Sequence, residues 1–148
     1  MYNLQALDGL QVLAVDDNTD SLELIQFILE MHNAQVTPVT CASQALQVIT
    51  QVKPDILISD ISMPLQDGYW LIRQVRNLTQ ELGNIPAIAL TGHASDQERN
   101  LALQAGFSTH ISKPLDPDVL LATVATFASN LQSKTASQQY RFYTKSAA

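Results

Sequence analysis

The sequence predicts an α/β fold, a doubly wound parallel sheet with helices on both faces. Short apolar runs alternate with segments of helical period five times along the chain. Three of those runs are nearly continuous in apolar character, as strands buried on both faces of a parallel sheet require. Right-handed crossovers between successive parallel strands then distribute the helices over both faces.

The first run, 12–15, is followed by a helix over about 20–32 that sets Leu22, Ile25, Ile28 and Leu29 on one stripe. The second run is 34–39, and its helix over about 42–52 aligns Ala42, Ala45, Leu46 and Ile49. Run 56–58 leads to a helix over about 68–80 with Leu71, Ile72, Val75 and Leu78 on its stripe. After run 87–90, the segment 95–105 is read as a helix with a partly apolar exposed side, because Leu101 and Leu103 cannot both face a core. Run 107–111 precedes a last helix over 117–131, with Leu120, Leu121, Val124, Phe127, Ala128 and Leu131 at helical spacing.

The 148 residues, 46% of them hydrophobic, suit one domain over 9–131. Residues 132–148 read as a flexible C-terminal tail or linker, where Tyr140, Phe142 and Tyr143 are expected in a solvated end. No apolar run approaches the roughly 20 residues that span a bilayer, and the start lacks signal-peptide character. The lone Cys41 cannot pair internally and has no basic neighbour to activate it, so a reduced cytoplasm is the expected setting. The formal charge is -6, and three bases with no acid follow Asn130. The rest is therefore more acidic still, which argues against direct nucleic-acid binding.

Ligands of open parallel sheets bind beyond the carboxyl ends of the strands. The first run ends in Asp16 and Asp17, the third in Asp60, the fourth in Thr91 and the fifth in Lys113-Pro114. Three converging carboxylates repel one another until a proton or a cation joins them. A hard divalent ion with oxygen ligands answers that need, and magnesium suits a shell shared with water and phosphate. A metal, a lysine and a carboxylate placed to attack fit phosphoryl transfer.

Together these residues, with Met63-Pro64, Asp67-Gly68 and Thr91-Gly92, resemble the receiver domain of two-component response regulators over about 9–131. The resemblance implies a flavodoxin-like sandwich of strand order 2-1-3-4-5. It implies Asp60 as phosphoacceptor and Mg2+ bound by Asp17, Asp60 and the Ser62 backbone carbonyl, with Asp16 acting through a metal-bound water. Lys113 would pair with a phosphoryl oxygen, and its bond to Pro114 is expected to be cis. Thr91 would bond another phosphoryl oxygen and shift inward, altering the face of helix 4, strand 5 and helix 5. His110 stands where the family has tyrosine or phenylalanine, and is expected to act as the rotating switch residue. Ser62 and His93 occupy the positions that flank the phosphoryl group; neither is an acid, so no specially fast self-dephosphorylation is expected.

The implied partners are a histidine kinase or histidine phosphotransfer protein. The chain is then a stand-alone regulator or a receiver segment of a hybrid kinase, and no enzyme beyond its own phosphorylation and dephosphorylation. Leu7-Asp8-Gly9-Leu10 resembles the start of receivers joined to kinases. The charge pairing of receivers that dimerise on DNA is sparse here, and that dimer is not expected. The alternative is an aspartate-nucleophile phosphatase of haloacid-dehalogenase type, which wants Asp-x-Asp after strand 1 where this chain has adjacent aspartates. A flavin carrier would need a glycine- and hydroxyl-rich loop there instead, and a phosphate-independent receiver would not need the acidic set.

For Asp16 and Asp17 the competing reading is a helix N-cap pair. Trp70, beside the inward-facing Leu71 and Ile72, is expected half-buried, and His32 is expected to close the first helix.

Overall fold

The computed structural model of the chain describes residues 2–93 and 95–146, with side chains described as far as 131. Five parallel strands lie in the order β2-β1-β3-β4-β5. They are β1 (Gln11–Val15), β2 (Gln35–Val39), β3 (Ile56–Asp60), β4 (Ala87–Thr91) and β5 (Thr109–Ser112). The helices are α1 (Thr19–Glu30), α2 (Ala42–Val52), α3 (Gly68–Arg76), α4 (Asp96–Ala105) and α5 (Pro117–Ser146). A 3-10 helix, Leu4–Leu7, precedes β1, and a single helical turn, Gln80–Gly83, leads into β4. This is the flavodoxin-like topology expected.

The alternation of side chains along each strand sorts the core into two layers. Val12, Ala14, Ile56, Ile58, Ile88, Leu90 and Ile111 pack under α1 and α5. Leu13, Val15, Leu57, Ala87 and Ala89 pack under α2 and α3, together with Ala102 of α4. β3 and β4 are buried along their whole length, which is why their sequences read as unbroken apolar runs.

Four boundaries depart from the periodicity. The helix expected over 68–80 ends at Arg76, where the Asn77 N–H caps Gln74 and Val75 and the chain restarts as the short turn. The fifth strand begins at Thr109 rather than 107, because Phe107 closes α4: its N–H bonds to the Ala102 carbonyl at 3.0 Å, and its ring is buried. α1 ends at Glu30, capped by Met31, so His32 lies just beyond it. α5 has helical backbone to Ser146, beyond the end expected at 131. The expected tail at 132–148, with its Tyr140, Phe142 and Tyr143, falls where side chains lie outside the described residues. Leu101 and Leu103 are both exposed, which gives α4 the partly apolar outer side expected, and Trp70 is half-buried.

Candidate functional site

The carboxyl ends of β1, β3, β4 and β5 bring Asp16, Asp17, Asp60, Thr91 and Lys113 to one rim. Asp16 continues the β1 ladder, its N–H bonded to the Val39 carbonyl, and its side chain is wholly buried. One Asp16 oxygen accepts from the Asn18 N–H at 2.9 Å, and the other from Lys113 Nζ at 2.9 Å. Asn18, not the aspartate pair, caps α1, with Oδ1 accepting from Ser21 N–H at 3.1 Å. The N-cap reading of Asp16 and Asp17 therefore fails.

Asp60 ends β3 and is nearly buried. Its Oδ1 accepts from the Ser62 N–H at 3.3 Å, and its Oδ2 lies 3.5 Å from Lys113 Nζ. Burial, and then the charge of Asp16, push the Asp60 carboxyl up to about 6; Lys113 and the Ser62 N–H offset part of the rise. Burial also works against the Lys113 charge. Its hydrogen bond to Asp16 and the two carboxylate charges outweigh that and hold the ammonium above its usual range.

Carboxylate oxygens of Asp16, Asp17 and Asp60 lie within 4.8 Å of one another. Three hard oxygen donors, balanced among the described residues by Lys113 alone, fit a divalent cation such as Mg2+. Asp17 is exposed and so open to a hydrated ion, whereas Asp16 is already engaged on both oxygens. Ser62 is exposed beside them.

Thr91 is buried, and among the described residues its Oγ1 has no hydrogen-bond partner. A buried hydroxyl left unpaired is costly, and such atoms mark places where a ligand completes the bonding. His110 pairs in register with Ala89, and Ser112 with Thr91. Strand alternation therefore puts His110 and Thr91 on the same face of the sheet, with the small, buried Ala89 beside the imidazole. His93 is exposed in the loop after β4, and the Lys113-Pro114 bond is cis.

Two loops are shaped for this rim. Asp67 caps α3 through an Oδ1 bond to the Trp70 N–H at 2.8 Å. Gly68 passes so close to the Asp60 backbone carbonyl that a Cβ there would overlap it. The Ser59 hydroxyl donates to that same carbonyl at 2.9 Å.

The response regulator receiver domain family matches residues 12–125. The chain belongs to this family. It is 39% identical over 124 residues to a 14.6 kDa protein from the sodA1 3′ region of Leptolyngbya boryana, covering 84% of this chain and 94% of that one. It is 31% identical over 125 residues to the sensor histidine kinase RcsC of Salmonella typhimurium, where 84% of this chain spans 13% of the kinase. Among solved structures, a receiver domain of a signal transduction histidine kinase from Syntrophus aciditrophicus superposes with TM-score 0.74 at 31% identity, over 81% of this chain and 90% of that one. This receiver thus shares its fold with segments of kinases as well as with a protein of its own size.

One feature of this receiver was missed in the periodicity. Leu24, Phe27 and Met31 form an exposed apolar stripe on the outer side of α1, with Phe27 66% and Met31 65% exposed. The signal was present: a helix with apolar residues on two sides carries more than its core face needs. Cys41 caps α2, and its thiol lies below the usual range through a bond to Ser43, a shift that no basic neighbour causes.

Proposed function

We propose that Asp60 accepts a phosphoryl group from a phosphohistidine and that the resulting acyl phosphate switches the face of α4, β5 and α5. The observation that carries this reading is the sharing of Lys113 between Asp16 and Asp60 at the rim, with Asp60 the less satisfied of the two. Asp16 has both oxygens hydrogen-bonded and no exposure, so it is a poor nucleophile. Asp60 holds one weaker bond on each oxygen and stands at the end of the central strand.

An Asp60 oxygen attacks phosphorus, the P–N bond breaks, and the departing imidazole takes up a proton from solvent. Lys113 Nζ, beside both carboxylates, neutralises one phosphoryl oxygen. Asp17, Asp60 and the Ser62 carbonyl would hold Mg2+, with Asp16 acting through a water, and the ion would supply the remaining charge neutralisation for phosphoryl transfer. The Thr91 hydroxyl takes another phosphoryl oxygen as its missing partner. Its inward movement frees space on the sheet face above Ala89, into which the His110 ring turns. A His110 rotamer that is the same with and without a phosphoryl mimic would remove the last step.

The donor is a histidine kinase or a histidine phosphotransfer protein. Its docking surface is the stripe of Leu24, Phe27 and Met31, beside a cleft of about 240 Å³ that reaches from Leu24 to Lys113 and Leu115. α1 carries Asp20, Glu23 and Glu30 and no base, so the matching surface is apolar with basic flanks. Residues 9–131 form the receiver and 132–148 its tail or linker. No helix among the described residues is long and apolar enough to cross a membrane. The chemistry of the receiver itself is its own phosphorylation and dephosphorylation. The haloacid-dehalogenase alternative is not favoured, because the first-strand aspartates are adjacent and Asp16 is fully engaged.

Acetyl phosphate with Mg2+ tests the reading. Wild type takes up one phosphate, and Asp60→Asn takes up none; a label that persists in the variant overturns the assignment.

A further inference from the structure

The last residue of α3, Arg76, joins three segments that are separate in sequence. Its Nε donates to the Gly106 carbonyl at 2.9 Å, and one Nη donates to the Gly83 and Ile85 carbonyls at 3.0 and 2.6 Å. The guanidinium is half-buried, yet among the described residues no carboxylate lies within ion-pair distance of it. All three of these hydrogen bonds go to backbone, at the C-cap of α4 and in the segment that leads into β4.

The two ends of α4 are held very differently. From Ser95 to Leu101 only Glu98 is even half-buried. At the other end Ala102 and Phe107 are buried, and the N–H groups of Gly106 and Phe107 both bond to the Ala102 carbonyl. Gly106, at φ 125°, leaves so little room that a Cβ there would stand 3.0 Å from the Arg76 side chain. The lightly held end is the one that follows Thr91, through exposed Gly92 and His93.

We infer that Arg76 pins α4 at Gly106, so that movement of Thr91 is read out as a swing of the N-terminal end of α4 about a fixed C-terminal end. This rests on the phosphoacceptor reading of Asp60 and adds the pivot to it. Ten helical residues span about 15 Å, so a tilt of about 10° moves the free end by about 2.5 Å while Gly106 stays in place. Because the same guanidinium holds the chain entering β4, the pivot is fixed to the strand that carries Thr91. Arg76 is here a positioning residue and touches no reacting atom.

Hydrogen exchange on the full chain, with Mg2+ and with or without beryllofluoride as phosphoryl mimic, tests the pivot. In wild type, amides of 97–101 change by about tenfold on adding the mimic, whereas those of 103–107 stay within about twofold, as for local rather than global opening. In Arg76→Gln the 103–107 amides exchange about tenfold faster without the mimic and become responsive to it, while the amides of β3 keep their wild-type protection. Arg76→Lys, with one ammonium for three carbonyls, gives the same pattern in weaker form if the glutamine variant does not fold. A uniform response along α4 in wild type, or an intact gradient in a folded Arg76 variant, overturns the pivot. No response at any amide of wild type overturns the phosphoacceptor reading itself, so the two failures are distinct.

Discussion

Replacing Asp60 with asparagine removes the proposed acceptor, and yet it should stabilise the metal-free protein. The Asp60 carboxyl titrates at about 6 in the fold against an ordinary 3.8. At about 1.36 kcal/mol per pH unit, keeping it ionised in the folded state costs about 3 kcal/mol, and relaxation around the site brings this nearer 2. The sign follows from proton uptake. Between pH 3.8 and 6 the native state binds the proton that the unfolded chain has released, so wild-type stability falls as pH rises through this window. Above pH 6 the loss is complete; below 3.8 it is absent. Asparagine mimics the protonated acid at every pH. Urea denaturation in EDTA should therefore show Asp60→Asn about 2 kcal/mol more stable than wild type at pH 7.5. The difference should shrink through pH 6 to 4 and vanish near pH 3.5, with a rise in Tm of several degrees at neutral pH for a chain of this size. Adding Mg2+ should raise the stability of wild type more than that of the variant. A variant no more stable than wild type at pH 7.5, or a difference independent of pH, would refute the reasoning.

Lys113→Ala leaves the buried Asp16 carboxylate without its cation and should destabilise by about 2–4 kcal/mol in urea melts, with slower labelling by acetyl phosphate. Leu65 is 97% exposed at φ 71°, a left-handed conformation that a leucine adopts at some cost. Leu65→Gly should gain about 0.5–1 kcal/mol in the same melts, and a loss of that size would contradict the strain argument. Thr91→Val keeps the shape and discards the unpartnered hydroxyl. It should stabilise the unphosphorylated protein by about 1 kcal/mol while abolishing the beryllofluoride response of α4 in hydrogen exchange. Asn18→Ala should cost about 1 kcal/mol, checked by thermal melts, through loss of the α1 cap.

The strands and the rim were legible because the same physics writes both into local sequence. A strand buried on two faces must be apolar until it leaves the sheet, so the polar residue that ends each run also marks the rim. Asp16, Asp60, Thr91 and Lys113 could be placed that way without knowing the strand order. What could not be read is which of several available partners a group takes, near or far in sequence. Phe107 looks like a strand residue until Ala102 is seen to receive its N–H. Arg76 looks like a surface cation on a helix; its three carbonyl partners lie 7, 9 and 30 residues away. The adjacent aspartates were equally suited to cap α1, and only the Asn18 bond to Ser21 assigns that task elsewhere. The break between α3 and the short turn has the same origin, since Arg76 is held by the segment that the longer helix would have displaced.

The rim holds several separate sources of strain that a phosphoryl group and a divalent cation together would relieve. Asp60 is ionised against burial and a neighbouring carboxylate, and Lys113 keeps its charge against partial burial. Thr91 buries a hydroxyl with no partner among the described residues. On the proposed reading a phosphoryl group on Asp60 would give Lys113 and Thr91 an oxygen each, and a divalent cation would remove the carboxylate repulsion. If Asp60 and Thr91 together release about 3 kcal/mol, a two-state equilibrium in the signalling face can shift by about a hundredfold. That energy reaches α4 only if Thr91 moves toward the ligand instead of the ligand fitting a fixed hydroxyl. The small side chain of Ala89 and the lightly held start of α4 are what leave room for that movement.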